Sequence, residues 1–446
     1  MIDHVMFLSV AGLRPIDVHD PKVTPVLHRL AGEGACCPLT PTFPCVTSPV
    51  QASMLTGRGP AEHGVIANGF YWPDRHEVEF WVAHHGVIDR PTLFSLLARQ
   101  RPDLTSAAWH AQNIKGAEAN WIVTPAPIHE PDGRTRPWCY SKPEGLYPEL
   151  VNAIGHFPLQ HYWGPLASIE STRWIVEGAL WLAERHAPNF HYVYIPHLDY
   201  AAQRFGPDSR EAAAALGELD AVLGDYIERY NELPIAKRTA WVLAGEYVLT
   251  SVAGAVHPNR ILREAGLLKV REQEGHEYLD LPGSDAFAMV DHQFAHVFVQ
   301  RGDVDAAADL FRGVDGIEDI VVGRERSAIG MDHPRSAPII LISRPDRWFT
   351  YYFWLEDAAA PPIARTVDIH AKPGYDPVEL FVDRWTRRIP LDASLIKGSH
   401  GAPASLPDQR ALLLTTHPGL LEDLPTPARD VDVFGMMCRR LGIQSS

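Results

Sequence analysis

The chain has 446 residues, of which 46% are apolar and 21% are charged. That length exceeds one ordinary hydrophobic core, so it predicts either one large α/β domain with insertions or two domains. The composition is typical of a folded globular protein. A formal net charge of −15 argues against nucleic acid or an anionic membrane as the main partner, because both would repel the chain.

The five cysteines form no Cys-x-x-Cys pair, and their odd number fits a reducing compartment. The first residues lack the basic region and the cleavage site of a signal peptide. No apolar run approaches the length of a membrane span. These features together predict a cytoplasmic protein with no membrane association.

Three continuous apolar runs predict strands that are buried on both faces, namely Val5–Val10, Phe190–Ile195 and Thr239–Ala244. After the first run, Thr24-Pro25 predicts the start of a helix and Gly32 its end. Strand, loop and helix in that order are the first unit of a doubly wound fold. We therefore expect the three strands in one mostly parallel sheet, with helices on both faces.

The stretch from Pro41 to Gly64 places hydroxyls, prolines and small residues between two apolar segments. This composition predicts a turn that leads into a helix, where free backbone N–H groups and the helix dipole favour an anion. A threonine there can attack phosphorus if a cation or a base lowers the cost of its alkoxide. The same composition also fits an ordinary loop with capping hydroxyls.

Within this stretch, Thr47-Ser48-Pro49, Ser53–Gly57 and His63-Gly64 resemble the nucleophile motif of the nucleotide pyrophosphatase/phosphodiesterase family. That family belongs to the alkaline phosphatase superfamily. The resemblance implies an alkaline phosphatase-like fold, a threonine nucleophile and two metal ions. Because Thr56 lies nine residues after Thr47, the motif's spacing identifies Thr47 as the nucleophile.

Other positions follow from the same motif. Thr42 also sits in a Thr-Phe-Pro sequence, but it lies five residues too early to be the nucleophile. The family's asparagine, which helps to hold the phosphoryl oxygen, falls on Val50, so neighbouring Gln51 is the candidate for that role. Asn68 matches a second family asparagine, which helps to bind substrate. Both are predicted substrate-binding residues.

Two segments are predicted to be insertions in one alkaline phosphatase-like domain that covers residues 1–446. Residues 68–165 include a stretch rich in proline and tryptophan, from about Asn113 to Gln160, which predicts irregular structure. Residues 250–335 alternate short strand and helix patterns, which predicts a smaller α+β cap. Ala337–Ser343 is then expected to return to the core, and Trp348–Trp354 is expected to be an aromatic strand.

The strand that ends at Ile195 leads into a segment that resembles one of the family's metal-binding motifs. Asp199 falls on the metal-binding aspartate, whereas Gln203 falls on a metal-binding histidine and is a poor zinc ligand. His197 could substitute for that histidine or be structural. Near the end of the chain, His400 in Gly398-Ser399-His400-Gly401 resembles the family's late metal-binding histidine.

The third core strand leads into Glu246-Tyr247, where the family has an aspartate and a histidine that both bind metal. Glu246 keeps a carboxylate, and Tyr247 can donate a hydrogen bond to a phosphate oxygen. Ala11 stands where the family has its first metal-binding aspartate. The sequence therefore keeps part of the family's site and has lost the rest.

Two further groups of metal-ligating residue types occur late in the chain. His370, beside Asp368, is a secondary ligand candidate in a predicted strand-to-turn segment. The cluster Asp291-His292-Gln293-Phe294-Ala295-His296 contains ligand-type residues, but a position at the start of an alternating strand would point its members to opposite faces. We therefore do not include that cluster in the predicted site.

Taken together, the resemblance implies a hydrolase of phosphodiester or pyrophosphate bonds that acts on a small phosphorylated metabolite or nucleotide. It would work through a phospho-enzyme at Thr47, assisted by a divalent metal that Asp199, His400, Glu246 and His370 could bind. Zinc is the favoured metal and manganese the alternative. Three alternatives stay open: a phosphoester-binding pseudoenzyme, a phosphomonoesterase or phosphonate hydrolase, and a phosphoryl transferase.

Overall fold

The computed structural model describes residues 3–129 and 135–444. A nine-stranded central sheet and a separate four-stranded sheet contain, in chain order, β1 His4–Val10, β2 Ala35–Thr40, β3 Ser106–Trp109, β4 Trp121–Pro125, β5 Cys139–Lys142, β6 Phe190–Ile195, β7 Thr239–Gly245, β8 Ala286–Asp291, β9 Phe294–Val299, β10 Ile317–Val322, β11 Ile339–Ser343, β12 Ala411–Thr415 and β13 Ala428–Arg429. Shorter strands form two-stranded ribbons: Gly69–Trp72 with Glu77–Phe80, Ile128–His129 with Thr135–Arg136, Thr250–Ser251 with Gly398–Ser399, Gly254–Val256 with Arg347–Phe349, and Val270–Gln273 with His276–Leu279.

The α-helices of the described residues surround these sheets. In chain order they are α1 Pro25–Glu33, α2 Thr47–Thr56, α3 Pro60–His63, α4 Leu93–Gln100, α5 Leu146–Ile154, α6 Ile169–His186, α7 His197–Phe205, α8 Arg210–Tyr230, α9 Pro258–Glu264, α10 Val304–Asp309 and α11 Asp430–Leu441. None of them is both long enough and apolar enough to cross a membrane.

The central sheet is mostly parallel, in the order β13-β2-β12-β7-β1-β6-β3-β4-β5. Strand β1 pairs in parallel with β6 and with β7, so the three predicted core strands are neighbours in one sheet. The antiparallel pairs are β7 with β12, β2 with β12, and β4 with β5. The predicted alkaline phosphatase-like α/β fold is confirmed.

Alternate residues of β1 face two hydrophobic cores. Met6 and Leu8 pack with α1, α5, α6 and α8, whereas Val5 and Phe7 pack with α2, α4 and α11. Because both faces of β1 are covered by helices, the strand is buried along its whole length and is mostly apolar, instead of alternating with exposed polar residues. Because β1 pairs in parallel with β6 and β7, the carboxyl ends of these three strands meet at one edge of the sheet, where such folds place their ligands.

Two segments differ from the predicted organisation. The stretch from Asn113 to Gln160, expected to be irregular, supplies β4, β5 and α5, and both strands join the central sheet. Ala337–Ser343 does not return to the central sheet, because β11 pairs with β9 and β10 in the four-stranded sheet. A short apolar run shows that a strand is buried but not which of two sheets buries it.

The aromatic and ligand-rich segments near residue 350 also differ. In Trp348–Trp354 only the first two residues are in a strand, which covers Arg347–Phe349 and pairs with Gly254–Val256. Residues 366–370 contain no strand, and a 3-10 turn ends at Arg365 just before them. Tyr351, Tyr352 and Trp354 are nevertheless buried, because they pack into the core of the cap around β8, β9 and β11.

A buried ionic cluster fixes the loop that follows. Lys372 Nζ lies 2.7 Å from Asp376 Oδ2 and 2.7 Å from Glu379 Oε1, and all three side chains are almost fully buried. Trp163 Nε1 donates a further hydrogen bond of 2.7 Å to Glu379 Oε2. Tyr375 lies in sequence between Lys372 and the two acidic residues, so the cluster fixes its position. Its hydroxyl group exchanges hydrogen bonds with the amide of Gln203.

We expect Lys372→Met to destabilise the protein by about 3–5 kcal/mol, because it leaves two buried carboxylates without their cation. Urea denaturation followed by circular dichroism measures the change. Lys397→Met is the matched control, since Lys397 is exposed and its ammonium group donates to the carbonyl oxygen of Ser394 and not to a buried carboxylate. Its expected effect is below about 0.5 kcal/mol. Equal small losses in both variants would contradict this account of the cluster.

Candidate active site

Helix α2 places Thr47 at the carboxyl edge of the central sheet. Every residue of α2 is buried, and Thr47 occupies its first turn after the extended residue Val46. The helix ends at Gly57, whose φ of 67° is left-handed and where a Cβ would lie only 2.5 Å from the Phe434 ring. Glycine is therefore required at that end, and the helix dipole at the other end favours negative charge beside Thr47.

The structure places the two candidate threonines in different surroundings. Thr47 Oγ1 lies 3.3 Å from the Tyr247 hydroxyl, and Thr47 lies near enough to the Glu246 carboxyl group to oppose the rise in its pKa. Thr42 instead donates from its hydroxyl to Asp430 Oδ1 at 2.6 Å and from its backbone to Asp430 Oδ2 at 2.8 Å, at the first residue of α11. Thr42 is thus a structural residue, whereas Thr47 lies among ionisable side chains.

Glu246, directly after β7, is held by hydrogen bonds on one carboxyl oxygen. Its Oε1 accepts from Ser9 Oγ at 2.6 Å and from Gln51 Nε2 at 2.7 Å, and Gln51 Oε1 accepts from the backbone of Gln112 at 2.8 Å. Burial raises the pKa of Glu246 to about 8, against the opposing effect of these hydrogen bonds. Gln51, predicted to bind substrate, therefore has both ends of its amide engaged within the protein: the nitrogen orients Glu246, and the oxygen is held by the backbone of Gln112.

Asp199 and His400 meet on the other side of Tyr247. Asp199 Oδ2 accepts from Gln203 Nε2 at 2.6 Å, and its Oδ1 lies 3.7 Å from His400 Nε2. Neither of these facing atoms has a hydrogen-bond partner among the described residues, while His400 Nδ1 lies 2.8 Å from the carbonyl oxygen of Cys45. Burial raises the pKa of Asp199 to about 7 and lowers the pKa of His400 well below its usual value.

Four aromatic side chains form a continuous ring stack through the site, in the order Tyr247, His400, His292 and Tyr375. Successive ring centroids lie 3.6, 3.8 and 3.7 Å apart. The Tyr375 hydroxyl exchanges hydrogen bonds with the Gln203 amide at 2.9 and 3.1 Å. Both faces of the His400 ring are therefore covered by other side chains.

Asp291 and His292 were not part of the predicted site, but the structure brings them into it. Asp291 ends β8 and His292 begins the two-residue turn before β9, so the pair is not on an alternating strand. His292 Nδ1 lies 2.6 Å from Asp291 Oδ1. An Asp-His pair between two apolar runs six residues long is the sequence signal that could have indicated a hairpin turn here.

Asn68 connects this pair to α2. Its backbone N–H donates to Asp291 Oδ2 at 2.7 Å and its side-chain amide donates to Asp291 Oδ1 at 3.3 Å. Its Oδ1 accepts from the backbone N–H of Ser48 at 2.9 Å. Asn68, predicted to bind substrate, thus joins the first turn of α2 to the Asp291 carboxyl group.

The two remaining histidine candidates lie apart from this cluster. His370 is exposed, and its Nδ1 lies 3.1 Å from the carbonyl oxygen of Phe80. His197 Nε2 lies 3.1 Å from Glu218 Oε2 on α8. The site that the structure assembles therefore consists of Thr47 together with six neighbours: Asp199, Glu246, Tyr247, Asp291, His292 and His400.

These residues do not fit the two-metal centre that the resemblance implied. Ala11, Gln203 and Tyr247 occupy three of its ligand positions, and Ala11 packs in an apolar cluster with Tyr247. Over residues 3–129 and 135–444, no group of three or more His, Cys, Asp or Glu side chains is placed to hold a metal ion. Asp199 and His400 face each other, but no third side chain of those types completes their coordination.

We expect the purified protein to contain fewer than two equivalents of zinc or manganese. Replacing Ala11 by Asp, Gln203 by His and Tyr247 by His together should raise the content toward two, because the three changes supply a carboxylate and two imidazoles at the missing positions. Elemental analysis after gel filtration measures the stoichiometry. Adding His370→Ala to the triple variant is the control and should change nothing. Two equivalents in the unaltered protein would contradict the prediction.

The chain is similar to known proteins in sequence. The family model for type I phosphodiesterase / nucleotide pyrophosphatase matches residues 5–376. Ectonucleotide pyrophosphatase/phosphodiesterase 1 of Saccharomyces cerevisiae is 26% identical over 259 residues, which are 55% of this chain and 32% of that protein. Family member 1 of Mus musculus is 24% identical over 270 residues, which are 59% of this chain and 26% of that protein. The chain thus spans about a third or less of the length of these curated relatives.

Solved structures show the same fold. Phosphonoacetate hydrolase from Sinorhizobium meliloti, in complex with phosphonoformate, has a TM-score of 0.62 at 16% identity and covers 97% of this chain and 94% of its own. Murine ectonucleotide pyrophosphatase/phosphodiesterase 5 has a TM-score of 0.62 at 13% identity over 100% of this chain and 96% of its own, and an inactive variant of it has been solved in complex with AMP. Because the family model covers most of its length, the chain belongs to the type I phosphodiesterase / nucleotide pyrophosphatase family of hydrolases.

Proposed function

We propose that the protein hydrolyses a phosphodiester or pyrophosphate bond in a small phosphorylated metabolite or nucleotide, with Thr47 as the nucleophile. The observation that carries this proposal is the position of the Thr47 hydroxyl, in the first turn of a buried helix, 3.3 Å from the Tyr247 hydroxyl and beside the carboxyl group of Glu246, whose pKa it influences. A nucleophile and a base within hydrogen-bond reach are the basic requirement of covalent catalysis. The AMP complex of the murine neighbour supports a nucleotide as substrate.

In this mechanism the Glu246 carboxylate takes the hydroxyl proton as Thr47 Oγ1 attacks phosphorus. The bond from Oγ1 to phosphorus forms while the bond from phosphorus to the leaving oxygen breaks. Water then attacks the phospho-threonine, and Glu246 returns its proton to Oγ1. The Tyr247 hydroxyl, 3.3 Å from Oγ1, donates a hydrogen bond to a phosphoryl oxygen, and the α2 dipole favours the negative charge there.

We also propose a cytoplasmic location. All five cysteines are free in the structure, including the exposed Cys36 and its half-buried neighbour Cys37. Free thiols near the surface are typical of a reducing compartment, where they are not oxidised. This proposal is independent of the catalytic one.

A second candidate function is binding of a phosphoester without turnover. The ring stack favours it, because Tyr247 and His292 cover both faces of His400 at 3.6 and 3.8 Å. A site with buried carboxyl groups and without the family's two metals has less positive charge with which to stabilise a phosphoryl transition state. The same group of residues would then bind AMP and release it unchanged.

Hydrolysis assays on chelator-treated protein separate these two functions. The substrates are bis(p-nitrophenyl) phosphate, p-nitrophenyl phosphate, a dinucleoside pyrophosphate and phosphonoacetate, and binding of AMP is followed by calorimetry. We expect cleavage of the diester or the pyrophosphate in the presence of chelator. Binding of AMP with no turnover of any substrate would establish the second function. Preference for the monoester or for phosphonoacetate would overturn the proposed substrate class.

A further inference from the structure

The Asp291–His292 pair has the features of a proton-transferring group, and the mechanism above does not use it. Both side chains are at most 2% exposed. His292 Nδ1 and Asp291 Oδ1 lie 2.6 Å apart, whereas His292 Nε2 has no hydrogen-bond partner in the described part of the chain. A buried imidazole with one nitrogen fixed by a carboxyl group and the other free is the usual arrangement of an acid–base histidine.

The position of the pair relative to Thr47 is fixed from two directions. Through Asn68, the Asp291 carboxyl group is joined to the backbone N–H of Ser48, the residue after the nucleophile. Through the ring stack, His292 lies beyond His400 and Tyr247, and Tyr247 contacts Thr47. The ring of His400 therefore lies between the His292 ring and Tyr247, the side chain that contacts Thr47.

This separation fits the geometry of phosphoryl transfer. The attacking and leaving oxygens lie roughly in line on opposite sides of phosphorus. A group that contacted Thr47 directly would serve the attacking side, which Glu246 already serves. Protonation of the leaving oxygen therefore needs a second group, and His292, which stacks on the far side of the His400 ring from Tyr247, is the candidate.

The backbone of His292 is held in an unusual conformation. Its φ is 62°, in the left-handed region that residues other than glycine rarely adopt. Two hydrogen bonds keep the turn in place: the backbone N–H of Gln293 donates to the carbonyl oxygen of His400 at 2.9 Å, and that of Phe349 donates to the carbonyl oxygen of His292 at 2.8 Å. Strained backbone that is held in this way is concentrated at functional sites.

We propose that the Asp291–His292 pair protonates the leaving oxygen, an inference that rests on the proposed function. As the bond from phosphorus to the leaving oxygen breaks, that oxygen takes the proton from His292 Nε2, and His292 Nδ1 takes the carboxyl proton of Asp291. The imidazole stays uncharged, as burial favours. In the second step the attacking water gives its proton to Nε2, and the Nδ1 proton returns to Asp291, so the pair is restored.

The test is the dependence of the rate on the leaving group. Diesters with a p-nitrophenyl, a phenyl and an alkyl leaving group are compared for the unaltered protein and for His292→Gln, whose amide keeps a polar group but cannot relay a proton. For the p-nitrophenyl diester, whose leaving oxygen needs no proton, we expect kcat to stay within about tenfold. For the alkyl diester we expect kcat to fall by about 10²–10⁴, the usual contribution of a general acid.

Asp291→Asn is the second variant and should show the same dependence, since it removes the proton that the relay needs. The matched control is His296→Gln, because His296 is equally buried in the same hairpin but is bound to Ile66 and Ala337 of the protein itself. Any damage to folding in the control should slow all three substrates equally. Thermal unfolding of each variant confirms that it is folded.

The outcomes distinguish this inference from the proposed function. An unaltered protein that cleaves none of the diesters removes the proposed function and the inference with it. A protein that is active and depends on Thr47, but in which His292→Gln and Asp291→Asn slow all leaving groups equally or not at all, overturns the inference alone. A loss that grows with the basicity of the leaving oxygen supports both.

Discussion

Replacing Thr47 by alanine is expected to lower kcat for phosphodiester hydrolysis by at least about a thousandfold, because the variant has no oxygen to bond to phosphorus. The fold should persist, since the hydrogen bond that is lost, to the Tyr247 hydroxyl at 3.3 Å, is a long one. Steady-state kinetics measures kcat, and mass spectrometry of acid-quenched reactions tests for a phosphoryl group on the protein. Thr47→Ser, which retains a hydroxyl, should keep a measurable part of the activity and of the phospho-enzyme.

Thr42→Ala is the matched control for register. Its hydroxyl donates to Asp430 at the start of α11, so its loss should cost about 1 kcal/mol of stability and leave kcat nearly unchanged. The two threonines thus have opposite expected signatures, one in kinetics and one in unfolding. A large kinetic loss in Thr42→Ala together with a mild one in Thr47→Ala would place the nucleophile at the earlier position.

The central sheet could be predicted because its key strands are buried on both faces. The runs that became β1, β6 and β7 are mostly apolar and buried at every position, because helices cover both faces of these strands. Strands β4 and β5 could not be predicted in the same way. They are the last two strands at one end of the sheet, where Trp121 and Lys142 are only partly buried. Their sequence therefore resembles that of an irregular segment.

The candidate site was only partly predictable for a different reason. Thr47, Asp199, Glu246 and His400 follow strands or open helices in a fixed order, so a motif can identify them one at a time. Asp291 and His292 enter from the turn between β8 and β9. His292 is 108 residues from His400 along the chain but in ring contact with it. Only the folded arrangement shows that contact, because no local pattern encodes which cap turn faces the sheet edge.

Gln51 and Asn68 illustrate the same limit. Both were predicted to touch substrate, yet each amide donates to a carboxyl group and accepts from a backbone N–H. Gln51 orients Glu246 and Asn68 orients Asp291. The sequence indicates that an amide lies near the site, but its hydrogen-bond partners decide whether it binds a ligand or positions a neighbour.

Glu246→Gln is expected to lower kcat by about 10²–10⁴, because the variant keeps the shape of the side chain but cannot accept the Thr47 proton. The amide oxygen can still accept from Ser9 and Gln51, as Oε1 does now, so the geometry should be preserved. In the unaltered protein the base must be ionised, and burial raises its pKa to about 8. For the p-nitrophenyl diester, whose leaving oxygen needs no proton, the pH profile of kcat/KM should therefore rise up to about pH 8, and the variant's residual activity should lack that rise.

Although Glu246→Gln should lower kcat, it should raise the free energy of unfolding at alkaline pH. The pKa of Glu246 is raised from 4.5 in the unfolded chain to about 8 in the folded protein, so the unfolded chain releases this proton first as the pH rises. The free energy of unfolding of the unaltered protein should therefore fall between about pH 4.5 and 8 and then level off. Glu246→Gln removes this contribution and should be more stable than the unaltered protein at pH 8.5 by about 2–4 kcal/mol.

Urea denaturation at pH 4.5 and at pH 8.5 measures the difference. Glu232→Gln, at an exposed position, is the control and should leave the change with pH unaltered, because a solvated glutamate has nearly the same surroundings in both states. If Glu246→Gln retained the full loss of stability with rising pH, the buried carboxyl group would already be ionised at pH 4.5. It would then be too weak a base to take a proton from Thr47, and another group would have to fill that role.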